Sequence, residues 1–453
     1  MMVALALGLL WLAGWSVTGM TGGAANRVER AGLALLFGYG LLSLLMFLLH
    51  LAGFPIAPHV YVPALAIFAL DGARRLTRRR ESAGPSLRSI FAFPHPVVSL
   101  AGGGILLFLL AVITARCLYL PNTIYDSITG FDLLGKVIAK EEVFRVSLFD
   151  YSGIARRGIY PPFVALTLAW GYQASIPSSM MMMIAPLLAF LLWLFGFARR
   201  YLGGTSALGL LILALLSPDF YTWCQLPATQ VPVMAFGALF FGYILAAGWD
   251  RAPRALLSAA LAGLFLAWSR PDAIVFIAAG GLGLLTYRRD PNFGLRALAI
   301  VVPALLLFGL WQFYAARVLG EAGASRMILV PFWDAERVRI TIRQGLRFLF
   351  HPLAMGFTGY AFLLAIASQL ISRRPGLGLE ARLPLATLGL YWILFYQTDP
   401  VGQDPLAGLM ATSYRRGITA LVVPMWFACL VSPVGVRARR TLGALFAPRA
   451  RSD

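Results

Sequence analysis

The chain has 453 residues, of which 59% are hydrophobic and only 13% charged, with a mean hydropathy of +0.77 and a formal net charge of +19. Soluble globular proteins carry roughly 25% charge, and apolar runs of about 17–25 residues, enough to cross a bilayer as helices, recur here from end to end. The runs are continuous and lack the two-residue alternation of barrel strands, so the composition argues against a soluble enzyme and a β-barrel and for an all-α polytopic membrane protein. The basic excess is almost wholly arginine placed beside apolar runs. That pattern fits the cytoplasmic flanks of membrane helices and contact with membrane lipids, and no nucleic acid is expected as a partner.

In chain order, the opening MMVALALGLLWLAGW has no basic leader and no clear cleavage site, so it reads as a retained helix. About thirteen spans are expected, centred in 1–20, 31–50, 57–71, 97–115, 178–198, 204–217, 231–248, 255–269, 272–287, 297–316, 351–372, 383–397 and 417–435. The pair at 255–269 and 272–287 is short and also reads as one kinked or re-entrant unit. A charged linker at 71–95 separates three leading helices (1–95) from a core at 96–435, and 436–453 is a basic tail. One set of loops, holding RRLTRRR at 74–80, Arg199, Arg200, Arg251, Arg254 and the tail arginines, carries 23 of the 38 basic residues. The positive-inside rule puts that set and the C-terminus in the cytoplasm and the N-terminus outside. The loop 116–177 then faces outward, as do 218–230, 317–350 and 398–416.

That first outer loop is the most polar stretch of the chain. It holds both lysines, Lys136 and Lys140, and five carboxylates, Asp126, Asp132, Glu141, Glu142 and Asp150. Residues 129–142 have helical periodicity, with Phe131, Leu134, Val137 and Ile138 on one face and Asp132, Lys136 and Lys140 on the other. The pattern predicts an interfacial helix with its apolar face in the headgroups and its charges solvated. YPPF at 160–163 restarts an apolar segment, and 162–176 is expected as a second interfacial or half-inserted helix.

The candidate chemical groups follow. Asp126, just before the amphipathic helix, reads as an N-cap or as a general base or metal ligand. Asp219 is the one carboxylate of the second outer loop, SPDFYTWCQLPATQVP, and reads as a helix-terminal residue or as a site residue. Arg270 and Asp272 in LAWSRPDAIVF stand between two apolar stretches, either as a pair at a helix break or with Arg270 as a phosphate ligand. Arg326, Arg337, Arg339, Arg343 and Arg347 make the third outer loop basic, and His351 at its end is a metal-ligand candidate. Arg415 and Arg416 follow Tyr414 in the last outer loop and read as interface anchors or phosphate ligands. Cys117, Cys224 and Cys429 show no metal or disulfide spacing. No phosphate-binding glycine loop, zinc signature or nucleophile elbow is present, so no nucleotide is expected.

Taken in order, these segments resemble the GT-C superfamily of membrane glycosyltransferases over about 97–430. The resemblance rests on Asp126 after the first core span, YPPF at 160–163 in place of a YPPL-type element, the SPDFYTWCQLPATQVPVMAF loop, LAGLFLAWSRPDAI against the family's G-L-A-x-x-T-R-P-E-G stretch, and the late arginines of SYRRGI. It implies an inverting enzyme of a bacterial inner membrane, working at the outer face. A polyprenyl-phosphate-linked sugar would be the donor, and a glycan, lipid or protein the acceptor. In that scheme Asp126 is the catalytic base, Arg270, Arg415 and Arg416 hold the lipid phosphate, and Tyr160, Lys136 and Gln230 are further substrate contacts. A divalent cation, magnesium or manganese, would be held by Asp126 with Asp219 or His351. The chain departs from the pattern in carrying Gln230 in TQVP where many members have Asp, Ser127 beside Asp126 where double-acid members have a second acid, and three extra leading helices. A lipid-carrier or solute transporter, or flippase, is the alternative, with Arg270 and Asp272 as a midplane site, and a non-catalytic member kept for assembly is a third reading.

Overall fold

A computed structural model describes residues 2–78, 96–119, 130–145, 160–175, 181–226, 228–287, 293–319, 334–372, 376–398 and 406–445. Every regular element among them is a helix, as expected where a continuous apolar chain must satisfy its own backbone. The helices are α1 (Met2–Thr21), α2 (Arg27–Leu51), α3 (Pro58–Arg78), α4 (Pro96–Tyr119), α5 (Asp132–Glu141), α6 (Phe163–Gln173) and α7 (Met181–Leu202). They continue with α8 (Gly204–Leu215), α9 (Pro218–Trp223), α10 (Gln230–Trp249), α11 (Ala255–Ala267), α12 (Ile274–Leu284) and α13 (Phe293–Arg317). The last are α14 (Ala335–Leu349), α15 (Thr358–Ile371), α16 (Leu379–Gln397), α17 (Leu406–Thr419), α18 (Val422–Val431) and α19 (Pro433–Leu445).

Six of these helices are long and apolar enough to cross a membrane, namely α1, α2, α4, α7, α10 and α13. A seventh is possible by composition if α17 and α18, bent by 49° at their junction, form one broken span. The count of thirteen is therefore not reproduced. At 204–217, 255–269, 272–287 and 351–372 the expected spans are apolar helices of 10–17 residues. At 1.5 Å per residue, even the 13 residues of α11 reach only about 20 Å, short of a bilayer core of about 30 Å. Such short helices belong inside a multi-pass protein, where neighbouring helices satisfy their exposed ends.

The three leading helices are part of the bundle. Asn26 caps α2 by accepting from the Glu29 N–H at 2.9 Å, and the Glu29 carboxylate accepts in turn from the Ala25 N–H at 3.0 Å. This is a capping box, reaching one residue further back than usual. The Asn26 amide also donates to the Gly196 carbonyl at 2.9 Å, and Tyr243 donates to Glu29 at 3.1 Å, so the start of α2 is pinned to α7 and α10. Glycines let backbones meet: a Cβ at Gly38 would stand 2.1 Å from the Leu10 carbonyl oxygen, and one at Gly32 would stand 2.4 Å from the Ala189 carbonyl oxygen. The boundary at residue 95 is thus one of sequence, while α2 lies against α7 in the core.

These contacts sort the bundle into two poles. At one, Gly22 adjoins Arg254, Arg200 pairs with Asp250, Arg439 donates to the Leu202 carbonyl at 3.0 Å and Tyr287 to the Ile244 carbonyl at 3.0 Å. The described arginines Arg200, Arg254 and Arg439 of the basic loop set therefore gather at one end. At the other pole the Ile56 N–H donates to the Glu142 carbonyl at 2.6 Å, Gln173 to the Ile56 carbonyl at 2.7 Å, and His50 bonds the Tyr314 hydroxyl at 3.1 Å.

The two helices expected at the interface pack on each other instead of turning an apolar face outward. In α5, Phe131, Leu134 and Ile138 are buried against α6 rather than turned to lipid. Every residue of α6 from Phe163 to Gly171 is buried. Asp132 is buried too, accepting from the Tyr172 hydroxyl and from Lys136 at 3.2 Å, so it is not part of a solvated face. The helical period was sound, but the partner of the apolar stripe was another segment of the chain, which periodicity cannot specify.

Candidate functional site

Away from the basic pole, α17 draws together four of the predicted site residues, Arg415, Arg416, Asp219 and Arg270. Its backbone is unusual: Met410–Tyr414 form a π-helical turn before the helix resumes at Arg415. Such bulges recur at functional sites because they re-aim side chains and free carbonyls. Arg415, the first residue after the bulge, closes a two-bond fork on Asp219. Its Nε and one terminal nitrogen each stand 2.6 Å from separate carboxylate oxygens. Asp219 lies in the first turn of α9, where Pro218 fits the helix start, and its own N–H donates to the Ala354 carbonyl at 2.9 Å. The Asp219 side chain is 7% exposed and that of Arg415 39%, so the carboxylate is enclosed and the guanidinium stands at the edge. Arg416 lies over the Trp223 ring at 4.9 Å and Arg415 over the Phe348 ring at 6.0 Å.

A second ion pair lies beside the first. Between α11 and α12 the chain turns at Trp268 and Ser269, extends at Arg270 and forms a single 3₁₀ turn at Pro271–Ala273. Both helices start or end near the basic pole, so 255–287 is a helical hairpin with Arg270 at its tip. The Arg270 side chain is 6% exposed. Its Nε is 2.7 Å from Asp272, and a terminal nitrogen reaches the Ser413 carbonyl in the π turn at 3.5 Å. Tyr391 of α16 donates to the other Asp272 oxygen at 3.1 Å. Tyr160 lies edge-on to Phe131 at 5.5 Å and within electrostatic range of Arg270. The pair reading of Arg270 and Asp272 is the one the structure bears out. The Arg270 guanidinium is enclosed, while that of Arg415 stands at the edge.

The remaining candidates divide. Lys136 serves Asp132 and the Tyr172 ring, at 5.4 Å, on α5. Gln230 is buried at the start of α10, and its carbonyl oxygen finds no hydrogen-bond partner among the described residues. His351 closes a turn: its Nδ1 accepts from the Leu353 N–H at 3.2 Å, and its carbonyl accepts from Ala354 and Met355. Asp126, Ser127, Asp150 and Arg326 lie outside the described residues. Among the described residues no three His, Cys, Asp or Glu side chains come together to hold a metal. With both Asp219 oxygens on Arg415 and His351 Nδ1 turned to its own loop, these two do not fit the expected cation.

Sequence reasoning singled out both arginine segments but missed Asp219 as the partner of Arg415, and it missed Tyr391, Trp223 and Phe348 entirely. Those residues meet across 196 positions in the case of Asp219 and Arg415, and no local pattern announces the meeting. The fork also makes a prediction. In a double-mutant cycle on Asp219→Ala and Arg415→Ala, read by thermal or denaturant unfolding, the two losses fall short of additive by about 0.5–3 kcal/mol. Strict additivity would show that the pair contributes no coupling.

Two cavities, of about 520 and 340 Å³, open at the other end of the molecule. The larger lies between α12 and α16, lined by Thr286 and Arg382, and the smaller is lined by Arg251, Tyr287 and Arg296. Neither is lined by Arg270, Asp272, Asp219 or Arg415.

The fold and site define a multi-pass helical membrane protein with two interlocked arginine–carboxylate pairs at the pole opposite its basic loops. Comparison with protein-family models, with curated proteins and with solved structures gives no match to this chain.

Proposed function

We propose that the chain is an inverting glycosyltransferase of the GT-C type, taking a sugar from a polyprenyl phosphate to an acceptor hydroxyl at the outer face of a bacterial inner membrane. Asp126 accepts the proton of the acceptor hydroxyl as that oxygen attacks the anomeric carbon. The bond from the anomeric carbon to the phosphate oxygen breaks, and the lipid phosphate leaves with one more negative charge. Arg415 and Arg416 stabilise that charge, since a guanidinium fork matches phosphate oxygens. Asp219 holds the Arg415 fork in place, and the Arg270–Asp272–Tyr391 group fixes the tip of the hairpin behind it.

The observation that carries this reading is the convergence on one bulged helix of Arg415, Arg416, Asp219 and, through the Ser413 carbonyl, Arg270. Three of the five segments on which the family resemblance rests meet here, and they come from three distant parts of the chain. The transport alternative needs a mid-depth group that binds and releases cargo. Arg270 is instead occupied by Asp272 and a backbone carbonyl, which speaks against that use.

The test is a structure of the purified chain with a polyprenyl phosphate bound. Phosphate density within hydrogen-bond reach of Arg415 or Arg416 is expected. Density at the basic pole instead, or along a path through the middle of the bundle, would remove the assignment.

A further inference from the structure

The smaller cavity at the basic pole is an independent site. It is bounded by the end of α10 at Ala247 and Gly248, by the link Arg251–Pro253, by Leu256 in the first turn of α11, by Tyr287, and by Arg296 and Ala297 in the first turns of α13. Three features make it a place for an anion. Two arginines, Arg251 and Arg296, line it. The first turn of α13, a helix longer than three turns, forms part of its wall, and helix N-termini carry partial positive charge, whereas the first N–H groups of α11 already donate to the Ala252, Pro253 and Arg254 carbonyls. The nearest acid in sequence, Asp250, is already held by Arg200 and by the Tyr201 hydroxyl at 2.6 Å, so it does not neutralise Arg251. Arg251 adopts a left-handed backbone, φ 51°, unusual for a residue with a side chain.

The surroundings choose the kind of anion. Leu257 follows the lining residue Leu256, and Leu295 and Leu298 bracket Arg296. All three are exposed apolar side chains on helices of a membrane bundle. A soluble phosphate compound has no use for that apolar rim, whereas a phospholipid places its headgroup among the arginines and its acyl chains along the leucines. We infer that this cavity binds an anionic phospholipid, with the headgroup phosphate between Arg251 and Arg296. The site shares no residue with the proposed transfer centre and stands or falls apart from it.

The experiment is native mass spectrometry of the full chain, released from mixed micelles holding equal amounts of phosphatidylglycerol and phosphatidylcholine. The wild type is expected to retain phosphatidylglycerol in preference, and the pair Arg251→Gln and Arg296→Gln to lower that preference about tenfold. The pair Arg251→Lys and Arg296→Lys, which keeps the charge and guards against misfolding of the Gln pair, retains part of it. Equal retention of the two lipids by the wild type would overturn the inference, as would a preference unchanged in a folded Gln pair. Full displacement of the lipid by millimolar inorganic phosphate would overturn it too, since the site would then be one for soluble anions.

Discussion

Replacing Arg270 by Ala lowers the stability of the chain by about 3–5 kcal/mol, the range for removing one partner of a buried ion pair. The cost comes from what is left behind. Asp272 is held at 2.7 Å by Arg270 and at 3.1 Å by the Tyr391 hydroxyl. Without the guanidinium, one neutral donor faces a carboxylate enclosed between α12 and α16, and the Ser413 carbonyl in the π turn loses its donor as well. The tip of the 255–287 hairpin then loses its tie to α17, so Arg415 is displaced in the same variant. Removing both charges, with Arg270→Met and Asp272→Leu, restores much of the stability, because no unpaired ion remains. Denaturant unfolding of the single and double variants in one detergent reads the difference. A single variant as stable as the wild type would show that the pair is not enclosed as described.

The second large effect concerns Asp126. Asp126→Asn is expected to lower sugar transfer by about 10²–10⁴-fold, the usual contribution of a positioned general base, while leaving expression and unfolding unchanged. The amide keeps the size and hydrogen-bonding shape of the side chain but cannot take the proton of the attacking hydroxyl. The described residues on either side support the choice. Before it, Cys117 near the end of α4 lies 3.8 Å from the Gln225 carbonyl, in the loop that follows Asp219. After it, Phe131 packs edge-on to Tyr160, which lies within electrostatic range of Arg270. Both flanks are therefore at the pole of the paired ions. If Asp126 served only as an N-cap, the Asn variant would transfer sugar normally, since Asn caps a helix as well as Asp does.

How much of this was legible in the sequence depended on the range of the interaction. Continuous hydropathy gave the helical class, and six long helices lie where the runs predicted them. The thirteen-span count is not reproduced among the described residues, because hydropathy cannot tell a 13-residue helix buried among others from a full span. The Arg270–Asp272 pair could be read directly, since the two residues are two apart on either side of Pro271. The Asp219–Arg415 fork could not, since it depends on the packing of α9 against α17. The amphipathic stripe of α5 was equally plain, but whether lipid or α6 would cover it was settled by tertiary packing alone. The π turn at Met410–Tyr414 leaves no mark in composition, yet it offers the Ser413 carbonyl to Arg270 and sets Arg415 against Asp219.

We propose that this chain breaks the bond between a sugar and a polyprenyl phosphate and does not merely carry such a lipid. Incubating the purified wild type and the Asp126→Asn variant with a polyprenyl-phosphate sugar, with and without acceptor glycans, and measuring free polyprenyl phosphate decides it. Acceptor-dependent release by the wild type and almost none by the variant is expected. A sugar–phosphate bond left intact by the wild type across the donors and acceptors supplied, with the labelled lipid moved between leaflets, would contradict it.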